Sequence, residues 1–249
     1  MGTPDRGAGE SVLARAARIL RAFTPDEPEL SVSEIGRRAG LHVATASRLI
    51  AALVEQGLLQ RAPSGGVRIG VQLWELAQRA SPTLGLREAA MPFLEDLHAV
   101  IGHHAQIGVL EGREVLFVER LSARDAVINV TRVAGRLPLN ASSSGLVLLA
   151  FAPRDLQESV LTGPLPGYTA DTITDGKRLR SVLAGIRQQE YVICPGHIHP
   201  DATGVAVPVR SGPDVIAGLS VIVPNDGRAA ATVPALRAAA LGIARSVSR

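Results

Sequence analysis

The chain has 249 residues, which suits two domains of ordinary size, and 46% of them are hydrophobic, enough for buried cores although aromatic residues make up only 3%. Its single cysteine, Cys194, excludes a disulfide-stapled secreted domain, and no run approaches the about 18 apolar residues that a membrane-spanning helix needs. The formal net charge of +3 permits nucleic-acid binding without demonstrating it.

The sequence of the first part of the chain predicts a tail followed by short helices. Residues 1–10 are Gly-rich and charged and lack the apolar core of a signal peptide, so we expect a disordered tail and a cytoplasmic protein, nucleoid-associated when bound to DNA. Ser11 can cap a helix that runs to about Phe23. Residues 30–59 hold two helical patterns separated by Gly40 and Leu41, and Gly57 ends the second as a C′ glycine.

A hairpin and one more helix complete this part. Residues 58–70 are β-like around a turn at residues 63–66, which predicts a β-hairpin, or wing. Residues 71–80 resume helical spacing until Ser81 and Pro82 interrupt it. We therefore expect a first domain over residues 11–70, a linker helix over residues 71–82 and a second domain over residues 83–249.

The second domain is predicted to be an α+β sheet domain with helices packed on it. The patterns indicate a helix at residues 86–101 and strands at residues 105–110, 114–120 and 127–130. Helices follow at about residues 144–151, 154–160 and 176–189, then a loop at residues 191–203. Continuously apolar runs at residues 205–209 and 215–223 predict central strands, and residues 229–247 a final helix.

Residues 32–50 have the spacing of a helix-turn-helix. Two helices that cross steeply need a small residue at the crossing, which Gly36 supplies, and a residue tolerant of positive φ between them, which Gly40 supplies. Apolar anchors are available from both helices: Ile35, Ala39, Leu41, Ala46, Leu49 and Leu53. An ordinary helical hairpin with a solvated arginine face is the alternative, but the preceding helix and the following hairpin favour a winged DNA-binding unit.

The candidate DNA-contacting residues follow from this prediction. The second helix would enter the major groove with the outer face of its N-terminal half, where short polar and apolar side chains and an arginine can meet phosphates or base edges. Arginines of the first helix can approach the DNA backbone, and those of the wing can bind phosphate or enter the minor groove. The candidates are Val43, Ala44, Thr45, Ser47 and Arg48 on the second helix, Arg37 and Arg38 on the first, and Arg61 and Arg68 on the wing.

The whole chain resembles the IclR-type regulators, named after the isocitrate lyase regulator. The resemblance rests on residues 30–59, VRIG at residues 67–70, RLPLNASSSG at residues 136–145, GVAVPV at residues 204–209 and AGLSV at residues 217–221. It implies a two-domain protein with an N-terminal all-α winged helix-turn-helix, a linker helix and a C-terminal α+β GAF-like effector-binding domain. It also implies homodimers, often dimers of dimers, on pseudo-palindromic double-stranded DNA operators, with members acting as repressors or activators.

The resemblance further implies a pocket for a small organic effector, often a carboxylate or an aromatic degradation product, in the second domain. Backbone N–H groups at a helix N-terminus would suit a carboxylate there. The residues implied are Asn140, Ala141, Ser142, Ser143, Ser144, Gly145, Gly204, Ser220 and Ile222. Gly204 and Ile222 stand where many relatives carry polar groups, which favours a larger or more apolar ligand than a two-carbon acid. Residues 195–201 replace the acidic run usual in the adjacent loop.

Two alternative functions compete with this one. A metal- or pH-responsive DNA-binding regulator would use His103, His104, His197 and His199, with Cys194 or Asp201 nearby. Adjacent histidines in a strand point to opposite faces, however, and the spacing matches no standard zinc motif.

An enzyme with an accessory DNA-binding module is the second alternative. It would need a nucleophile, but the serine run at residues 142–144 lacks a G-x-S-x-G context, and the chain has no P-loop and no dinucleotide fingerprint. We expect no enzymatic activity and no cofactor. Cys194 has no partner for redox sensing, and Trp74 is predicted to anchor the linker helix at a dimer seam.

Overall fold

A computed structural model describes residues 10–80 and 82–247 of the chain, so residues 1–9 of the predicted tail lie outside the described residues. The chain divides into two compact units between residues 81 and 82.

Over its described residues, 10–80, the first unit has four helices and a small three-stranded sheet. The helices are α1 (Val12–Arg21), α2 (Val32–Arg38), α3 (Val43–Glu55) and α4 (Val71–Ala80). The strands are β1 (Glu29–Leu30), β2 (Leu59–Arg61) and β3 (Val67–Ile69), in the antiparallel order β1-β3-β2. Ser11 caps α1 by accepting from the Ala14 N–H at 3.1 Å, as predicted. β2 and β3 form the predicted wing, and β1, which the sequence did not predict, pairs with its inner strand.

The core of the first unit lies where α1, α2 and α3 meet the sheet. Its members are aliphatic and almost completely buried: Ile19, Ala22, Leu30, Ile35, Ala39, Ala46, Ile50, Leu53, Leu59 and Val67. They include four of the six apolar anchors predicted for the helix-turn-helix, and the other two, Leu41 and Leu49, pack against this core while partly buried. The first unit is therefore a winged helix-turn-helix.

The second unit is built on one six-stranded antiparallel sheet. Its strands are β4 (His104–Glu111), β5 (Glu114–Ser122), β6 (Arg136–Pro138), β7 (Val192–Pro195), β8 (Ala202–Ser211) and β9 (Asp214–Pro224), in the order β6-β5-β4-β9-β8-β7. Its helices are α5 (Pro82–Ile101), α6 (Ser143–Phe151), α7 (Arg154–Thr162), α8 (Gly176–Gln189) and α9 (Val233–Val247), with a 3-10 turn (Ala229–Thr232) before α9.

The helices cover both faces of the sheet. One core joins α5 and α9 to alternate residues of the central strands, such as Ile107, Val207 and Leu219. A second core joins α6, α7 and α8 to the opposite face through residues such as Phe117 and Ala206. Since α6 packs against β8 and β9, its N-terminus lies over the middle of the sheet. This is the predicted α+β arrangement.

The prediction of a strand at residues 127–130 is wrong. These residues are irregular, and they are held by side chains of the neighbouring strands instead of a backbone ladder. His104 Nε2 lies 2.5 Å from the Val127 carbonyl oxygen, and Asn129 Nδ2 donates to Gln106 Oε1 at 3.0 Å. The predicted loop at residues 191–203 is also partly wrong, because it contains β7 and the start of β8. β6 was not predicted.

Candidate functional site

The crossing of α2 and α3 depends on two glycines. A Cβ added to Gly36 would lie 3.3 Å from the Ala46 Cβ and 3.3 Å from the Leu41 carbonyl oxygen, so only a residue without a side chain fits there unstrained. Gly40 adopts a φ of 60°, which directs the chain out of α2. The Leu41 N–H donates to the Gly36 carbonyl at 2.8 Å and closes the turn.

The N-terminal half of α3 presents an exposed surface, here called the recognition face, formed by Val43, Ala44, Ser47 and Arg48. Val43 is 51% exposed, an unusual position for a branched apolar side chain. Among the residues that the structure describes, Arg48 makes no ion pair and no hydrogen bond, so its guanidinium is available to an external anion. Thr45, the fifth predicted contact on α3, is partly buried.

The two arginines of α2 have protein partners. Arg37 and Arg38 both bind the Glu34 carboxylate at 2.6 Å, and these hydrogen bonds lower the pKa of Glu34 to about 2. Arg38 also binds Glu27 at 2.7 Å and donates to the Ala22 carbonyl at 3.2 Å. Arg38 thus fastens α2 to the segment between α1 and β1, whereas the Arg37 side chain stays 73% exposed.

The wing carries the other two predicted arginines. Arg61 and Arg68 are exposed and have no ion pair among the described side chains. The register pairs Arg61 with Val67 and Gln60 with Arg68, so the two arginines start from opposite faces of the hairpin. They cannot act as a pair on one face.

A cavity in the second unit lies between the sheet and the N-terminus of α6. The cavity has a volume of about 40 Å³. Its walls come from the sheet, from residues 128–131, from the start of α6 and from the loop after β7. The lining residues are Gln106, Ile128, Asn129, Val130, Thr131, Leu137, Ala141, Ser142, Ser143, Cys194, His197, Ile198, His199, Ala202, Gly204 and Ile222.

Five of the nine predicted effector residues line this cavity: Ala141, Ser142, Ser143, Gly204 and Ile222. Ser142 caps α6 by accepting from the Gly145 N–H at 3.0 Å. A Cβ added to Gly204 would lie 2.8 Å from the Ser143 Oγ, so this glycine keeps space open beside the helix N-terminus.

The structure places the other four predicted effector residues outside the lining. Asn140 donates from its amide to the carbonyls of Pro166 and Ile173, at 3.0 and 2.8 Å. Ser144 donates to the Ser220 hydroxyl at 2.8 Å, and both residues are fully buried. Gly145 packs against the backbone of Leu139. These residues hold α6 against the sheet and the neighbouring loop.

Sequence reasoning missed a polar cluster formed by Gln106, Asn129 and Thr131. Gln106 is buried, and its Oε1 accepts from Asn129 Nδ2 at 3.0 Å and from Thr131 Oγ1 at 2.6 Å. A signal was present, since Asn129 and Thr131 interrupt an apolar run at the spacing of one strand face. The sequence predicts a strand at residues 127–130. In a strand with one exposed face, polar side chains at this spacing would face solvent.

The histidines do not form the alternative metal site. Among the residues that the structure describes, no group of three or more His, Cys, Asp or Glu side chains could hold a metal ion. His104 has Ser122 Oγ 2.9 Å from its Nδ1 in addition to its contact with Val127, and burial lowers its pKa. His103, next to it, is partly buried with an unpaired Nδ1.

The other two histidines of the alternative metal site, His197 and His199, line the cavity together with Cys194. His197 is buried, which lowers its pKa, and its Nδ1 has no hydrogen-bond partner in the described part of the chain. His199 accepts at Nδ1 from the Asp201 N–H at 3.3 Å. Burial also raises the pKa of the Cys194 thiol, so this residue is an unreactive part of the wall.

No helix within residues 10–80 and 82–247 combines the length and the apolar character needed to cross a membrane.

Both parts of the chain match described protein families. Residues 12–63 match the IclR helix-turn-helix domain, and residues 78–249 match the bacterial transcriptional regulator IclR C-terminal family. The HTH-type transcriptional regulator XynR of Escherichia coli (strain K12) is 31% identical over 214 residues, which cover 83% of each chain.

Two solved structures are more similar in sequence. The crystal structure of an IclR homolog from Microbacterium hydrocarbonoxydans, complexed with 4-hydroxybenzoate, is 47% identical with a TM-score of 0.92 and covers 95% of this chain and 99% of that one. An IclR homolog from Microbacterium sp. is 45% identical with a TM-score of 0.64 and covers 96% of this chain and 98% of that one.

Proposed function

The chain belongs to the IclR family of DNA-binding transcriptional regulators, and we propose that it is a ligand-responsive member whose effector is a small aromatic carboxylate. The observation that carries the proposal is the cavity at the N-terminus of α6. Helix N-termini attract anions because their first N–H groups lack backbone acceptors. Ser142 and Ser143 line the cavity at that point, while Ile128, Val130 and Ile222 provide apolar walls for a ring.

The similar structure that contains 4-hydroxybenzoate supports an aromatic acid rather than a short aliphatic one. The absence of a side chain at Gly204 and the apolar Ile222 point in the same direction. At about 40 Å³ the cavity is smaller than the about 300–1,000 Å³ of typical ligand pockets, so we expect its walls to move when a ligand enters. The 127–131 segment is the wall best suited to move, because only side-chain hydrogen bonds hold it to the sheet.

On DNA, we propose that the recognition face enters the major groove, with Arg48 contacting phosphate or guanine. Thr45, Arg37, Arg61 and Arg68 are secondary candidates, and Arg38 contributes by holding α2 in place. A homodimer or a dimer of dimers would present two such units to a pseudo-palindromic operator. The exposed apolar side chains of α4, which include Val71 and Trp74, support a dimer seam along this helix. A regulator that acts on chromosomal DNA would be located in the cytoplasm, and we propose this location for the chain.

Calorimetric titration of the full chain with 4-hydroxybenzoate tests the effector part of the proposal. Wild type is expected to bind stoichiometrically and without turnover. Gly204→Val should weaken binding at least tenfold, because its side chain fills the space beside Ser143. Gly185→Val is the matched control, since nothing lies within 4 Å of a Cβ added at that position. No heat of binding for wild type at millimolar ligand, or equal affinities for wild type and Gly204→Val, would contradict the proposal.

A further inference from the structure

Two of the polar groups that line the cavity, on Ser143 and Gln106, lie on opposite sides of the apolar Ile222. At one end, Ser143 at the start of α6 lies over Gly204 of β8. At the other end, Gln106 extends from β4. β9 runs between these two strands, and its Ile222 lines the cavity. Two strand spacings separate the ends by about 10 Å across the sheet.

The Gln106 amide is only half satisfied. Its Oε1 accepts two hydrogen bonds, from Asn129 and Thr131. Its Nε2 has no hydrogen-bond partner among the residues that the structure describes, although the residue is 2% exposed and lines the cavity. Nε2 is not among the completely buried atoms that lack a partner, so a small molecule in the cavity can reach it. An unpaired amide donor that is open to a ligand cavity can bind an acceptor on the ligand.

We propose that Gln106 is the specificity-determining residue of the effector site, an inference that rests on the proposed function. Its Nε2 donates to a hydroxyl oxygen para to the carboxylate of the ligand. The para position places the two polar groups at opposite ends of a flat apolar ring, as the two ends of the cavity require. Asn129 and Thr131 are positioning residues, because they fix Oε1 and thereby direct Nε2 into the cavity.

The Nε2 donor discriminates between ligands by the hydrogen-bond acceptor that they carry, and not only by their size. A hydroxyl oxygen accepts a hydrogen bond, a methyl group of similar volume does not, and an arylamine nitrogen is a poor acceptor. A site built to bond a hydroxyl rejects a ligand that lacks it, because the buried amide then loses water without gaining a partner. The site should therefore favour a 4-hydroxylated aromatic acid over analogues that lack the hydroxyl.

Calorimetric titration of the full wild-type chain with 4-hydroxybenzoate, 4-methylbenzoate and 4-aminobenzoate tests the assignment. 4-Hydroxybenzoate should bind about tenfold or more tightly than the other two compounds. Gln106→Met has a side chain of similar length and removes the donor without adding a charge or a carboxylate acceptor. The ratio of the affinities for the hydroxyl and methyl compounds should therefore fall to about threefold or less. Gln188→Met, exposed near the end of α8, should keep the wild-type ratio.

The outcomes separate this inference from the function on which it rests. Equal wild-type affinities for the three compounds would overturn the role of Gln106 and leave an aromatic-acid sensor standing. A wild-type ratio that survives in Gln106→Met would also overturn it. Binding of none of the benzoates by wild type would overturn the proposed function together with the inference. The wild-type comparison needs no variant, so equal affinities would overturn the role of Gln106 even if Gln106→Met does not fold.

Discussion

Gly36 of α2 lies directly against Ala46 of α3, with 3.3 Å between the Ala46 Cβ and the position that a Gly36 Cβ would occupy. This contact sets how closely the two helices of the DNA-binding motif cross. The Leu41 carbonyl oxygen lies at the same distance from that position, so a side chain at residue 36 would press on both neighbours.

Gly36→Val should therefore destabilise the first unit. Overpacking of this kind costs about 1–3 kcal/mol, measured as the change in the free energy of unfolding in urea. DNA binding should weaken with it, because the recognition face is displaced. Gly185→Ala is the control, and a helix former at this open position should leave stability unchanged or raise it by up to about 1 kcal/mol. A Gly36→Val variant as stable as wild type would show that the crossing is looser than its geometry indicates.

Arg48 and Arg38 should respond differently to truncation. Arg48→Ala removes a side chain without protein partners, so it should weaken specific DNA binding by about 1–3 kcal/mol and leave the Tm unchanged. Arg38→Ala breaks the contacts with Glu27, Glu34 and the Ala22 carbonyl, so it should lower the Tm. Mobility shifts and thermal unfolding of both variants provide the comparison. Wild-type DNA affinity in Arg48→Ala would remove this residue from the interface.

Glu34 should make the stability of the first unit depend on acid. Its pKa is about 2 in the folded chain, against an ordinary value of 4.5, because Arg37 and Arg38 bind its carboxylate. A depressed carboxyl pKa adds stability that is fully present above pH 4.5 and is lost as the pH falls toward 2. The stability difference between wild type and Glu34→Gln should be constant above about pH 5 and shrink below it. Urea unfolding from pH 7 to pH 2.5 measures this difference, and a constant gap over the whole range would refute the coupling.

The Ser144–Ser220 hydrogen bond predicts a non-additive pair. Ser220→Ala leaves the buried Ser144 hydroxyl without its partner and should cost about 1–3 kcal/mol, whereas changing both residues to Ala should cost less than either single change. Effector affinity should not change in the double variant, since neither residue lines the cavity. Additive losses of stability would contradict the pairing of the two hydroxyls. A large loss of effector affinity would indicate that Ser220 belongs to the ligand site.

Local patterns predicted the first unit well. The helix caps, the two glycines of the turn and the wing all depend on residues close together in the sequence, and Ser11, Gly36, Gly40 and Gly57 behave as their chemistry requires. In the second unit the long helices and apolar strands were predicted for the same reason.

The walls of the cavity were harder to predict, because they depend on pairings between distant residues. Asn129 and Thr131 lie 23 and 25 residues along the chain from Gln106, and their side-chain hydrogen bonds to it replace the strand ladder that the apolar run suggested. Ser220 was expected to face the ligand, but its partner Ser144 is 76 residues away, so the sequence alone could not show that its hydroxyl is already bonded.

The affinity of the full chain for its own operator, selected from genomic DNA by the purified protein, should be measured with and without saturating 4-hydroxybenzoate. If the cavity controls DNA binding, the ligand should change the operator affinity by about fivefold or more, in either direction, and Gly204→Val should bind the operator without responding. The same operator affinity in wild type at zero and at saturating ligand would contradict the account of this chain as a regulator controlled by an aromatic acid.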